Sequence, residues 1–491
     1  MWRRAAVLVC GVVVLCNGSR AADAPAAQPA TPTPLARRLA WYQRVTRDAF
    51  EAAAQKDPKW EADARQCVDA FCRSLDQPGV RRNGDEEDLI FLFGQKAIQA
   101  GCKDPLVIYA FARNLTLRSP RGNALADAHR DAADRFKDSK YPAFWKALAS
   151  LRAARYLADA AGGDEAKLKQ ARGYVDAALQ SLPDAFADKD LPAYELYEFM
   201  RAVVDAQART GDQAGALGEK VLAALEKGAL PKSVALTARG DYYLLYGWEA
   251  RGTGYANTVT RAGGAAFAQR VRAARDALLE ASKLEPANAE AACAMLIVEK
   301  AIGTSRKDLD QWYQRAMAAD PDSYRAAMRK VEYLYPQWHG SPEEMVAHAR
   351  QVAATARWEG GMPLVLVEVH WELAGMHDPG KKPVDPAYFA NNPEAWKDVK
   401  AVYEAYLRRV PDSRYHRTRY ALIAAWCGQW ADAQRQFAKL GEDFSRRPVP
   451  EALYRQARAL AAANASSAPQ AAGDNQPPAA PAKQPEPALP F

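Results

Sequence analysis

The residues with the most chemical potential are Arg251-Gly252-Thr253-Gly254-Tyr255, where a cation, a hydroxyl and an aromatic ring follow one another around two glycines. Arg and Tyr often anchor partners at interfaces, which makes Arg251 and Tyr255 candidate partner-binding residues. The glycine spacing is not a dinucleotide fingerprint, because no strand pattern precedes it. A second stretch, Tyr333-Leu334-Tyr335-Pro336-Gln337-Trp338-His339-Gly340-Ser341, adds Trp338 and His339 to the candidates. Glu368, His370, Glu372 and His377 fall near one another, but Gly375 interrupts the helix and no HExxH is present. The sequence also lacks GxSxG, P-loop and kinase signatures, and no two carboxylates stand out as an acid and a base. The expectation is a protein that is not an enzyme, with no catalytic residue, no metal and no cofactor.

The elements that must position these residues announce themselves by a recurring punctuation mark. Leu309, Tyr313 and Ala316 precede Pro321; Ala274, Leu278 and Ala281 precede Pro286. Ala171, Val175 and Ala178 precede Pro183; Val399, Tyr403 and Tyr406 precede Pro411. Pro286 and Pro321 lie 35 residues apart. That is close to the roughly 34-residue period of tetratricopeptide helix pairs. Alanine is abundant and alternating β-branched runs are nearly absent. The fold class expected is therefore all-α, a tetratricopeptide-like α-solenoid of helical hairpins. The last pair, 414–426 with 430–440, is the sharpest: Trp430, Ala433, Phe437 and Leu440 make one apolar stripe, and Gly428 sits where the chain must turn.

A less regular helical block is expected over 35–137, with helices at 41–54, 60–75, 86–101 and 105–116, and the solenoid over 138–463. Pro336 should end one helix. Ser341 should cap the next, with Pro342 at its first position and Glu344 completing a capping box. The connection between them is a shaped turn, over which Trp338 can pack while Gly340 takes a place that a side chain would obstruct.

The ends read differently. Arg3 and Arg4 followed by the apolar run 5–16 and by Ser19-Arg20-Ala21 make residues 1–21 a signal peptide. Residues 22–34 form an Ala/Pro-rich leader, and residues 464–491, rich in Ala, Pro, Gln and Ser, are expected to be disordered. The mature chain should thus be exported, periplasmic or extracellular, with no transmembrane segment. Losing Arg3, Arg4 and Arg20 lowers the formal charge from +7 to +4. This mild excess, without a dense basic stripe, argues against a nucleic-acid partner. Seven cysteines become five in the mature chain, and in an oxidising compartment Cys67 or Cys72 can bridge to Cys102.

The two aromatic stretches, 248–259 and 333–345, resemble the bacterial family known as domain of unknown function 4034, over roughly Lys232 to Val410. The resemblance implies an exported or envelope-associated helical-repeat protein and supplies no mechanism. Gln337 stands where that family has a Lys, and His339 where it has a Gly or an aromatic residue. Two functions of different kinds are expected to compete. One is a non-catalytic exported scaffold that binds a protein or peptide partner in its concave groove. The alternative is an envelope enzyme or glycan-binding protein with a site near Arg251 and Trp338.

Overall fold

A computed structural model describes residues 32–53, 55–76, 84–115, 123–212, 214–252, 254, 256–375 and 384–464. Residues 1–21, expected to be a signal peptide, most of the expected leader, Tyr255, His377 and nearly all of the tail expected to be disordered lie outside these residues. The described chain is all-α, with no strand among the described residues. None of its helices is long and apolar enough to cross a membrane.

Local sequence sets the helix ends. Asn288 Oδ1 accepts from Ala291 N at 2.9 Å and opens helix Ala289–Ile302, and Gly303 closes it with a φ of 69°. Only a residue without a Cβ takes that left-handed conformation at little cost. Ser305, Ser323, Ser341 and Ser413 cap the helices that follow them. Pro286, Pro321 and Pro411 each fall just past a helix, as their spacing indicated. Pro183 does not. Helix Glu165–Ala185 runs through it, so this proline is not a stop signal. The capping box at Ser341 is half made: Ser341 Oγ accepts from Glu344 N at 3.3 Å, but the Glu344 carboxylate pairs with Arg306 at 3.0 Å.

Each helix packs on its neighbour in sequence, and several also on the next but one, as Ala193–Thr210 does on Ala143–Asp159 and on Lys232–Arg251. The apolar positions read from the sequence are those that meet. Leu309, Ala316, Ala274, Leu278, Ala281, Val399 and Tyr403 are all buried. One buried cluster runs from Trp41 to Tyr242 and so crosses residue 138. A second runs from Ala292 to Ala461. Helices Asn123–Lys137, Pro386–Ala390 and Glu451–Ala463 are additional to those expected.

Helix Gly84–Gln99 meets the C-terminal part of the chain, a feature that the repeat pattern did not indicate. Ser413 Oγ donates to Asp85 Oδ2 at 2.6 Å, and Tyr415 N donates to Asp85 Oδ1 at 2.8 Å. Arg447 pairs with Asp88 at 3.1 Å and also with Glu87. The first helix, Pro34–Gln43, is threaded between distant elements as well. Trp41 Nε1 donates to Asp188 at 2.9 Å, and Arg38 lies 3.6 Å from Asp320.

Helix Tyr324–Tyr333 reaches across to Ala193–Thr210 through arginines. Arg325 donates to Glu290 at 3.0 Å and lies 3.4 Å from the Tyr194 ring centroid. Asp241 is buried beside this group, and one of its carboxylate oxygens has no hydrogen-bond partner among the described residues. Burial pushes its carboxyl up to about 7. Arg329 and Arg325 oppose the shift, and Glu290 and Glu198 add to it. Because this pKa is raised in the folded state, its stabilising contribution is full below the unfolded value of about 4 and is lost as pH rises through about 7. Asp241→Asn removes the titration. The melting temperature of the wild type should therefore rise relative to that variant as pH falls from 8 to 5. A gap that does not change over this range would contradict the burial of an unsatisfied carboxyl here.

The cysteine expectation is corrected. Cys67, Cys72 and Cys102 are buried, and no bridge joins Cys67 or Cys72 to Cys102. Cys67 Sγ points at the Ile90 carbonyl, 3.6 Å away, and burial pushes the Cys102 thiol up to about 11. A thiol so raised contributes little of the thiolate that disulfide chemistry needs.

Candidate functional site

Trp248 and Arg251 lie three residues apart on helix Lys232–Arg251, which presents them on one side of its last turn. Gly252 then ends the helix with a φ of 78°. The Arg251 guanidinium folds back over its own terminus, and Nη1 donates to the carbonyls of Gly252 at 3.3 Å and Gly254 at 3.1 Å. It lies 5.3 Å from the Trp248 ring centroid and 5.9 Å from that of Trp338. The two indoles meet edge to face at 5.9 Å, and Phe267 closes on Trp248 from the other side at 4.8 Å.

Trp338 comes from the turn between helices Tyr324–Tyr333 and Pro342–Ala354. Its own N–H donates to the Tyr335 carbonyl at 2.8 Å. A Cβ on Gly340 would stand 2.5 Å from the Leu334 carbonyl oxygen, so the turn admits only glycine there. His339 stacks on Tyr333 with centroids 4.5 Å apart, and its Nε2 is 3.2 Å from the Lys300 carbonyl. Arg306 Nη2 donates to the His339 carbonyl at 2.9 Å.

Arg251, Trp338 and His339, expected from the sequence, are thus neighbours, all of them half-buried. Tyr255 lies outside the described residues. Sequence reasoning missed Lys300, whose ammonium is 5.6 Å from both indole centroids and pairs with Glu332 at 2.9 Å. Its signal was faint, a single Lys near the end of a helix whose other charged residues are Glu290 and Glu299. Two cations over two indoles make a rigid, positively charged corner in which cation–π attraction holds each charge in place. Among the described residues no carboxylate pairs with Arg251. Among the described residues the corner shows no nucleophile held by a base.

No protein-family model matches the chain, and no curated protein matches it.

His370 and His348 have structural partners. His370 is buried, with Nδ1 2.8 Å from the Tyr388 hydroxyl and Nε2 3.0 Å from Asp398 Oδ2. His348 lies four residues after Glu344 but does not face solvent. It is buried against Tyr313 and lies 3.3 Å from the Ala327 carbonyl, and burial pushes its pKa down to about 4. Among the described residues, no group of three His, Cys, Asp or Glu side chains is placed to hold a metal ion.

Proposed function

We propose that the chain is a non-catalytic tetratricopeptide-like scaffold, exported to the cell envelope, that binds a protein or peptide through the corner of Trp248, Arg251 and Trp338. The observation that carries this reading is the Arg251 guanidinium, which stands on two half-buried indoles with no carboxylate partner among the described residues. Arg and Trp in such a setting are the residue types that dominate interface energies. The charge at the corner favours a partner segment that brings a carboxylate. Export rests on the basic start, the short apolar run and the Ser-x-Ala motif. The resemblance to the domain of unknown function 4034 family points the same way. A second reading, an envelope glycan-binding protein or enzyme at the same corner, is favoured by the paired indoles, whose faces can stack on sugar rings.

Affinity capture from envelope extract, compared between wild type and Arg251→Ala, tests this reading. The variant should bind the captured partner about 2 kcal/mol more weakly, a loss of roughly 30-fold. Its melting temperature should fall only slightly, because the lost cation–π contacts are worth about 0.5–1 kcal/mol each. A large fall in stability with unchanged binding per folded molecule would make Arg251 a structural residue and remove the site.

A further inference from the structure

Helix Arg261–Leu284, at 24 residues, is the longest among the described residues. Val271, Ala274, Leu278 and Ala281 turn one of its faces into the core, where it packs on helix Lys232–Arg251. The face turned away from the core carries charge of one sign. At about 100° per residue, Arg261, Arg272, Arg275 and Lys283 fall within about 80° of one another, in a row about 33 Å long. All four are exposed. None of their side chains has an ion-pair or hydrogen-bond partner among the described residues.

The positions between them in this sector are Ala265, Ala268 and Leu279, so no carboxylate interrupts the row. Asp276 and Glu280 lie beyond its edge, and Glu280 is held by Lys232 at 3.0 Å. Arg261 stands at the first position of the helix, where the helix dipole disfavours a cation, and no acidic residue in the first turn offsets it. Arg272 and Arg275 are three apart and repel each other. Exposed arginines elsewhere have acidic partners, as Arg65 has Glu61 and Arg455 has Glu451. The row thus works against the helix that carries it, and its charge is complementary to an anion outside the chain.

We propose that this row docks the protein on an anionic phospholipid surface, with the guanidiniums meeting lipid phosphates. The intervals along the row are about 17, 5 and 12 Å. They fit no evenly repeating polyanion, whereas lipid headgroups move sideways to meet charges wherever these stand. The row lies along the outside of a single helix, not in a groove, and Ala265 and Ala268 let a plane approach its side. The apolar face of the helix is buried in the protein, so the helix cannot insert among acyl chains and the attraction rests on charge. Salt therefore weakens it.

Co-sedimentation with phosphatidylcholine vesicles, with and without phosphatidylglycerol, tests the proposal. The chain from residue 22 onward is used, because the apolar run 5–16 would itself enter a bilayer. It should bind only the vesicles that contain phosphatidylglycerol, and added salt should release it. Arg272→Gln with Arg275→Gln should weaken binding about 30-fold, each charge near such a surface being worth about fivefold. Both side chains are exposed, so the melting temperature should not fall. Lys169→Gln with Lys439→Gln removes two exposed cations from helices Glu165–Ala185 and Trp430–Leu440 and should weaken binding far less. Equal losses from the two pairs would assign binding to net charge and overturn the row. No binding to the anionic vesicles, or equal binding to both kinds, would overturn the membrane as partner. So would capture of poly-glutamate by a chain that leaves the vesicles alone. None of these results bears on the partner proposed for the Trp248 corner.

Discussion

Arg419→Ala is expected to cost about 3–5 kcal/mol, the usual penalty for breaking a buried ion pair and leaving one charge behind. The Arg419 side chain is 0% exposed and is paired with Glu368, itself only 12% exposed. Its guanidinium lies 4.3 Å from the Trp371 ring centroid and 5.6 Å from that of Tyr415. Its Nε and Nη2 have no hydrogen-bond partner among the described residues, so the ion pair and the rings are what hold the charge. Removing Arg419 strands Glu368 between helices Leu364–Ala374 and Arg414–Trp426. The double change Arg419→Met with Glu368→Met should recover much of the loss, because two apolar side chains leave no charge to desolvate. Urea denaturation of the three proteins measures both effects. A single-variant loss below about 1 kcal/mol would match a solvent-exposed pair and contradict this burial.

Phe437→Ala should cost about 3–5 kcal/mol. Phe437 is 3% exposed and meets Tyr454 edge to face at 5.3 Å, and Tyr454 in turn stacks on Phe444 at 3.8 Å. The truncation therefore opens a hole among three aromatic rings that helix Glu451–Ala463 helps to enclose. Ala433→Trp tests the same helix from the opposite direction. Ala433 is fully buried, and a Trp there should overpack the contact by about 1–3 kcal/mol. Both variants should lower the melting temperature. If neither does, the apolar stripe on helix Trp430–Leu440 does not face the core.

That stripe shows what was legible in the sequence. Helix periodicity depends on a few apolar positions per turn; helices Arg414–Trp426 and Trp430–Leu440 begin and end where apolar spacing said they would, and helix Pro342–Ala354 begins at its Ser341 cap. Pro183 shows the limit of such local signals. A proline costs a helix one hydrogen bond and some steric strain, which packing can outweigh near a helix end. The packing around Ala178, Leu182 and Ala185, all buried, does so here. Helix Asn123–Lys137 was missed because alanine and charge dominate it, with Phe136 its one buried large apolar residue.

Long-range contacts were not legible at all. Nothing near Asp85 foretells that Ser413 and Tyr415, more than three hundred residues later, will supply its hydrogen bonds. The candidate corner lies between these extremes. The types and spacing of Arg251 and Trp338 singled them out, but only the fold brings Lys300 beside them and sets Trp338 against Trp248.

The most direct measurement of the central claim is photo-cross-linking in the native envelope. A benzoylphenylalanine side chain placed at position 338 reports on whatever docks at the corner. The same probe at position 460, where Leu460 is 48% exposed on the last helix, serves as the control. The account predicts a discrete adduct from position 338, absent from position 460 and lost when Arg251→Ala is introduced beside it. Equal adducts from both positions, or none from position 338, would contradict a partner-binding site at this corner.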